Sequence, residues 1–198
     1  MDLPDAPATI ALIIVNLIVS VYALSVDREF ANSFAFHVGA VARKKQHYRI
    51  FTSSFLHGDY FHLLFNMMTL WFFGPTVEGL LGTDGFLVVY FGAILTSGIV
   101  SFYVNRNRPD YSSLGASDGV SGVVLSFCLF FPLAPLYLMF IPIPIPAFIF
   151  AAVFIAVSAG LMGRESNRIA HEGHLGGAIA GVVLTVLMKP EVVGQIFG

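Results

Sequence analysis

Residues 8–26 read ATIALIIVNLIVSVYALSV, a run without a single charged side chain. A bilayer core of roughly 30 Å requires about 20 mostly apolar residues in one helix, so this run predicts a membrane-spanning helix. The whole chain has the same character, because 57% of its 198 residues are hydrophobic and 11% are charged. Soluble domains carry about 25% charged residues. The sequence therefore predicts an integral membrane protein.

Working outward along the chain, five more apolar segments have the length of a span. They cover about 60–81, 85–104, 115–131, 147–162 and 173–188. The turn-forming Gly82-Thr83-Asp84-Gly85 separates the first two of these, so we expect antiparallel neighbours. The stretch FPLAPLYLMFIPIPIP, which ends before a helix expected to start near Ala147, is predicted to be extended because of its prolines. We expect an all-α membrane protein, a six-transmembrane-helix bundle forming a single domain over 1–198.

The net charge and the number of cysteines argue against nucleic-acid binding and against a disulfide-stabilised fold. The formal net charge of −2 gives no basic field for nucleic acid, so no nucleic-acid partner is expected. Cys128 is the single cysteine and excludes an internal disulfide framework. The amino terminus lacks the basic region of a signal peptide, so the first apolar run is expected to be retained. The polar connection 27–59 contains aromatics and is expected to lie partly in the membrane interface.

Four polar side chains stand near the starts of predicted spans. They are His62 and Asn66 in the second span, Ser117 in the fourth and His174 in the sixth. Ionisable groups inside a membrane cost about 2.5–3.5 kcal/mol each on insertion scales, so they call for a functional explanation. Because every pair of spans returns the chain to its starting face, spans two, four and six begin on the same side. The four groups are therefore expected at similar depth on one side of the membrane.

The spacing of these groups suits nucleophilic catalysis. His62 and Asn66 are four residues apart and so lie on one helix face. Ser117 sits among small residues at a helix start, where unpaired N–H groups can stabilise an oxyanion. A serine hydroxyl needs a base within hydrogen-bond reach. His174 begins a stripe with Gly177 and Gly181 that allows close helix approach, so it is the candidate base.

Other histidines offer alternative interpretations. His171 competes with His174 but does not continue the small-residue stripe, and His57 competes with His62 but lacks an Asn four residues later. His57 is expected to line the cavity mouth or to hold the loop. The stretch His171-Glu172-Gly173-His174 departs from the His-Glu-x-x-His pattern of zinc proteases, so no metal and no cofactor are expected.

Four runs of the chain resemble rhomboid intramembrane proteases. They are YRIFTSSFLHGDYFHLLFN (48–66), VEGLLG (77–82), GASDGVSG (115–122) and HLGGAIAG (174–181). The resemblance implies that Ser117 is the nucleophile and His174 the general base of a dyad without an acidic third member. It also implies an oxyanion hole formed by His62, Asn66 and the backbone N–H of Ser117. The substrates it implies are single-span membrane proteins cleaved in or near their spans within the lipid bilayer.

The resemblance extends to other positions and has two departures. The resemblance assigns Arg49 to the first-loop motif of the family, with Tyr48 in place of the usual Trp. It assigns Glu78 to a structural position at the far end of the second span. Outside the resemblance, Glu78 is interpreted as interfacial and solvated. Asp118 stands where most rhomboids have Gly, and its carboxylate either opposes the oxyanion, faces solvent or shares a proton. Ser121 is small where some relatives place a Tyr against the catalytic His, so another group is expected to orient His174.

The sequence leaves alternatives for the orientation in the membrane and for the function. Nine of the ten Lys and Arg residues lie on the side of the first, third and fifth loops, which the positive-inside rule makes cytoplasmic. Bacterial rhomboids have the reverse orientation, and we follow the resemblance and expect a multi-pass protein of a bacterial inner membrane. The main alternative function is a catalytically inactive rhomboid-like protein that binds or escorts transmembrane clients. A transporter fits less well, because the polar groups do not cross the midplane.

Overall fold

The computed structural model describes residues 5–138, 141–162 and 170–194, and this part of the chain is mostly helical. In chain order the elements are α1 (Pro7–Ser25), α2 (Arg28–Phe34), β1 (Phe36–His37), α3 (Val38–Lys44), α4 (Arg49–Thr52), a 3₁₀ turn (Ser53–Phe55), α5 (Tyr60–Asn105), β2 (Ser112–Ser113), α6 (Ser117–Phe130), β3 (Pro135–Leu138), β4 (Ile141–Pro146), α7 (Ala147–Leu161), α8 (His171–Met188) and a second 3₁₀ turn (Pro190–Val193). Arg164 and Arg168, which enter the charge asymmetry noted above, lie outside the described residues.

Each predicted apolar segment coincides with helix. Within the described ranges three helices are long and apolar enough to cross a membrane, namely α1, α5 and α8, while α6 and α7 are shorter apolar helices. Within the described part of the proline-rich stretch, 135–138 and 141–146 are extended as predicted, and these strands, β3 and β4, pair in an antiparallel hairpin. The helix after it starts at Ala147, as the proline positions indicated.

The predicted turn at 82–85 is narrower than expected. Gly82, with φ of 74° and ψ of 162°, breaks the helical backbone of α5, whereas Thr83 to Gly85 continue in helix. Glycine reaches this positive φ without the steric penalty that other residues meet, so one residue is enough to end one helix and begin the next. We refer to the two parts of α5 as its first half (60–81) and its second half (83–105).

Contacts between helices show how the elements run. Asp118 of α6 packs against Gly177 of α8, and Gly122 packs against Gly181, at approaches that leave no room for a Cβ on either α8 glycine. The two helices are therefore parallel and closely packed, as the small-residue stripe predicted. The ring of His62, near the start of α5, lies against the loop before α6. The starts of α5, α6 and α8 thus lie at one end of the molecule.

The opposite end is held by Glu78, which is 2% exposed. Its carboxylate accepts hydrogen bonds from the backbone N–H groups of Ala8 and Thr9 at 2.9 and 2.8 Å, and from the hydroxyls of Thr9 and Thr83 at 2.8 and 2.9 Å. The interpretation of Glu78 as a solvated interfacial residue is wrong. Instead, its negative charge satisfies the unpaired N–H groups at the start of α1, where the helix dipole favours an anion.

Arg49 organises the segment between α1 and α5. Its guanidinium donates to the side-chain oxygen of Gln46 at 2.7 Å and to the carbonyls of Asn32 and Ala35 at 2.9 and 2.8 Å. Arginine suits this task because its planar fork presents several donors in fixed directions. A single side chain therefore joins the end of α2 to the start of α4, within the polar connection 27–59.

Candidate active site

Two cavities meet at the end where α5, α6 and α8 begin. The larger has a volume of about 850 Å³ and is lined by the loops before α5 and α6, and the smaller has about 230 Å³ and lies between α5, α6 and α7. Of the described residues, three line both cavities: Asn66, Ser117 and His174. His62 lines the larger one. The structure thus brings the four sequence-predicted site residues to one place.

Ser117 is the first residue of α6, and the two amides before it are already used. The N–H of Gly115 donates to the carbonyl of Ser53 at 3.0 Å, and the N–H of Ala116 donates to Nε2 of His57 at 3.3 Å. Among the contacts of the described residues, the N–H of Ser117 has no acceptor. The first backbone donor available to a ligand therefore belongs to the residue that also carries the hydroxyl.

His57 holds the loop that presents Ser117. It is 1% exposed, and its Nδ1 lies 2.8 Å from Oγ of Ser20 on α1. Since Nε2 accepts from Ala116, we assign the proton to Nδ1, which donates to Ser20, whose hydroxyl donates in turn to the carbonyl of Phe55 at 2.9 Å. Burial, reinforced by His62, lowers the pKa of His57 from 6.5 to about 3. Of the two roles considered for His57, the contacts support the holding of the loop.

His62 and Asn66 occupy the first turns of α5. Asp59 caps this helix by accepting from the N–H of His62 at 2.7 Å, and Asn66 donates one amide hydrogen to the carbonyl of His62 at 2.9 Å. Its second amide hydrogen remains for another acceptor. A Cβ added to Gly115 would lie 2.8 Å from Nε2 of His62 and 3.4 Å from Oγ of Ser117, so both atoms surround one point. Gly115 has φ of 137°, which itself favours glycine.

His174 lies in the first turn of α8, close to α5 and α6. Ser97 fixes this turn by donating to the carbonyl of Gly173 at 2.6 Å. In the described part of the chain, no hydrogen bond joins the imidazole of His174 to Oγ of Ser117, although both line the same cavities. Catalytic hydrogen bonds are often long in ligand-free structures and shorten when substrate binds. The rival His171 lies beside His174, with ring centroids 6.4 Å apart, and lines neither cavity.

The sequence also matches a known protein family over most of its length. The family model described as the Rhomboid domain matches residues 44–191, which is most of the chain and includes all four site residues. The chain belongs to the rhomboid family. Family membership is thus shown over the segment that carries the loops, the cavities and the helices around them.

Curated relatives of this rhomboid include mitochondrial proteins and a bacterial one. Rhomboid protein 1, mitochondrial, of Saccharomyces cerevisiae is 30% identical over 68% of this chain and 40% of its own. The human presenilin-associated rhomboid-like protein, mitochondrial, is 32% identical over 66% of this chain and 35% of its own. Rhomboid protease GluP of Bacillus subtilis is 30% identical over 79% of this chain and 29% of its own. The chain therefore matches less than half the length of these relatives.

Asp118, one of the departures from the family pattern, turns toward α8. Its Oδ1 would lie 2.6 Å from a Cβ on Gly173, so the carboxylate packs against the start of that helix. Glu172, in the same turn of α8, is 3% exposed and accepts from Nδ2 of Asn105 at 2.8 Å. Both acids lie in first turns, where the helix dipole favours negative charge. Asp118 is thus held at the α6–α8 contact, beside the larger cavity that it also lines.

Several residues around the site were not identified from the sequence. Burial and the nearby carboxylate of Glu172 raise the pKa of Tyr111, which lines the larger cavity. Ser53 supplies the carbonyl that positions Gly115, and Phe154 of α7 stacks on the ring of His174. No motif distinguishes these residues, because their roles depend on contacts between distant parts of the chain. The buried Glu172 was visible only as part of a non-matching zinc pattern.

Proposed function

We propose that this rhomboid is an intramembrane serine endopeptidase with Ser117 as nucleophile and His174 as general base. The observation that carries the proposal is the meeting of two cavities at Asn66, Ser117 and His174. A hydroxyl, an imidazole and a free amide donor at one water-accessible point are the groups that acyl transfer requires. A histidine and an asparagine of α5 supply the further donors.

The reaction follows from the roles of these groups. Oγ of Ser117 attacks the carbonyl carbon of the peptide bond while His174 accepts the hydroxyl proton. The negative oxygen of the tetrahedral intermediate accepts hydrogen bonds from the N–H of Ser117, from His62 and from Asn66. The bond to nitrogen then breaks, and His174 returns the proton to the departing amine. Water, deprotonated by His174, hydrolyses the acyl-enzyme and restores the Ser117 hydroxyl.

The cavities suggest how water and substrate reach this point. The larger cavity supports water access from the loop side, since Ser53, Asp59 and Tyr111 line it together with His62. The smaller one lies between α5 and α7, whose separation would admit a substrate helix from the lipid. The expected substrates are single-span membrane proteins whose helices unwind locally. Unwinding is needed because helical carbonyls are otherwise hydrogen-bonded and shielded.

The same proposal includes a single domain over 1–198 with six spans. The two halves of α5 count as the second and third spans, between α1 and the shorter helices α6 and α7, and α8 is the last. The relatives include mitochondrial and bacterial proteins, so they do not favour the bacterial inner membrane over a mitochondrial one. Protease accessibility of the loop at 27–59 in sealed vesicles would determine the orientation.

Activity-based labelling tests the proposed chemistry. A fluorophosphonate probe should label the purified protein in detergent or liposomes, and Ser117→Ala and His174→Ala should each abolish labelling. Ser121→Ala and His171→Ala are matched controls, because they remove the neighbouring hydroxyl and imidazole, and they should keep most of it. Cleavage of single-span test proteins should follow the same pattern.

The alternative function gives a different outcome. If the folded wild-type protein is labelled by no serine-directed probe and cleaves no single-span helix, then a non-catalytic rhomboid that binds or escorts client helices is favoured. Labelling that survives Ser117→Ala but not Ser121→Ala would instead assign the nucleophile one turn further along α6.

A further inference from the structure

The imidazole of His174 is packed by an aromatic ring from α7. Phe154 stacks on it with ring centroids 6.1 Å apart and an interplanar angle of 21°. Phe150, one turn earlier on α7, stacks on Phe154 at 5.9 Å and 27°. Both phenylalanines line the smaller cavity together with His174. The three rings thus form a column that ends on the candidate general base.

The helix that carries Ser117 does not provide this support. Ser121, one turn after Ser117, donates its hydroxyl to the carbonyl of Ser117 at 2.7 Å. Among the described residues no side chain forms a hydrogen bond with the imidazole of His174. The ring of His171 also lies near it, in an edge-to-face arrangement. The orienting contact with the broad face of the imidazole therefore comes from α7.

We propose that Phe154 is a positioning residue that holds the imidazole of His174 in the orientation needed to accept the Ser117 proton. This inference rests on the proposed function. A ring against the imidazole face restricts its rotation about the bonds to the backbone, and a misplacement of about 1 Å in a catalytic group can cost about 10²-fold in rate. At position 121 the serine is too short to provide the same contact, so the ring is supplied by the fifth span.

The location of Phe154 has a consequence for substrate binding. Of the residues of α7, two are buried, Ala147 and Ser158, which is fewer than in α5, α6 or α8. A substrate helix that inserts between α5 and α7 would lie against the ring column, because Phe150 and Phe154 line the smaller cavity. The position of the base is thus coupled to the helix next to which the substrate is expected to bind.

The first test removes the aromatic ring at position 154 and then introduces a ring at position 121 of α6. Phe154→Leu should lower kcat by about 10-fold or more with little change in KM. Phe154→Tyr should stay near wild type. Phe148→Leu is the matched control, since Phe148 is an exposed phenylalanine of the same helix, and it should have no effect. Phe154→Leu combined with Ser121→Tyr should recover kcat, because a ring then reaches the imidazole from one turn after Ser117.

A spectroscopic readout separates this inference from the proposed function. In the Ser117→Ala background, the NMR signal of the His174 ring protons should carry a ring-current shift that Phe154→Leu removes and Phe148→Leu keeps. This measurement needs no activity, so a protein that neither cleaves nor labels would defeat the proposed function without touching the stacking. An unchanged kcat in Phe154→Leu, equal losses in the Leu and Tyr variants, or an unchanged His174 signal would overturn the inference.

Discussion

Glu78 and Ser117 lie at opposite ends of the helix bundle, and their polar surroundings differ. The carboxylate of Glu78 accepts four hydrogen bonds, from two amides and two hydroxyls, and is almost entirely buried. Around Ser117, one backbone donor has no acceptor among the residues that the structure describes, and the side chains border open cavities. A polar group that serves stability in a membrane is fully paired, whereas one that serves chemistry keeps capacity for a ligand.

The largest effect on stability is expected at the end of the bundle that contains Glu78. Glu78→Ala leaves the N–H groups of Ala8 and Thr9 and two hydroxyls without their acceptor, and each unpaired buried donor costs about 1–3 kcal/mol. We expect a loss of unfolding free energy on the order of 4 kcal/mol. Thermal unfolding in mild detergent would measure it. Asp84→Ala removes an exposed acid at the same end and should change little, and equal stability of both variants would contradict the structural role of Glu78.

At the end of the bundle that contains Ser117, substitutions should affect the reaction rate more than the stability of the fold. His62→Ala and Asn66→Ala should each lower kcat by about 10²–10³-fold, the usual cost of one oxyanion-hole donor. Their unfolding temperatures should stay near that of the wild type, because neither side chain satisfies a distant buried partner. His47→Ala, which removes an exposed histidine, is the control. A stability loss as large as that of Glu78→Ala would mean that the two ends do not differ as described.

The smallest effect, when it is measured over one pH unit, concerns His57, a fully paired residue beside the open site. Because its pKa is about 3 in the folded protein and near 6.5 when unfolded, only the unfolded chain gains a proton between these values. The stabilisation is complete above about pH 6.5 and is lost as the pH falls, with a slope of up to about 1.4 kcal/mol per pH unit.

The comparison for His57 uses unfolding curves between pH 4 and 7 for the wild type and His57→Gln. The variant should show a shallower loss of stability with acid, because the titrating group is gone. The titratable neighbours Asp59 and His62 are present in both proteins, so the difference in slope reports on His57. Parallel curves would show that its neutral, loop-holding state does not contribute to stability.

Much of the helical layout could be predicted from local patterns. Three local features determine where helices form and end: the charge-free run at 8–26, the glycine at 82 and the prolines before Ala147. Each affects the backbone only within a few residues, through the cost of burying charge or through backbone sterics. The parity of spans likewise predicts that Asn66, Ser117 and His174 lie at one end. The turn at Gly82 was predicted too wide, because turn-forming residues also tolerate a helix start.

The partners of individual side chains were decided by the tertiary structure. Ser20 reaches His57, Glu78 reaches the start of α1, and Phe154 reaches His174, and none of these pairs shares a local motif. Asp118 had three possible directions in the sequence, and only the packing of α6 on α8 turned it toward Gly173. Periodicity and composition determine which segments become helices, because they act locally. Which side chains meet depends on helix directions and approach distances that arise only when the helices pack.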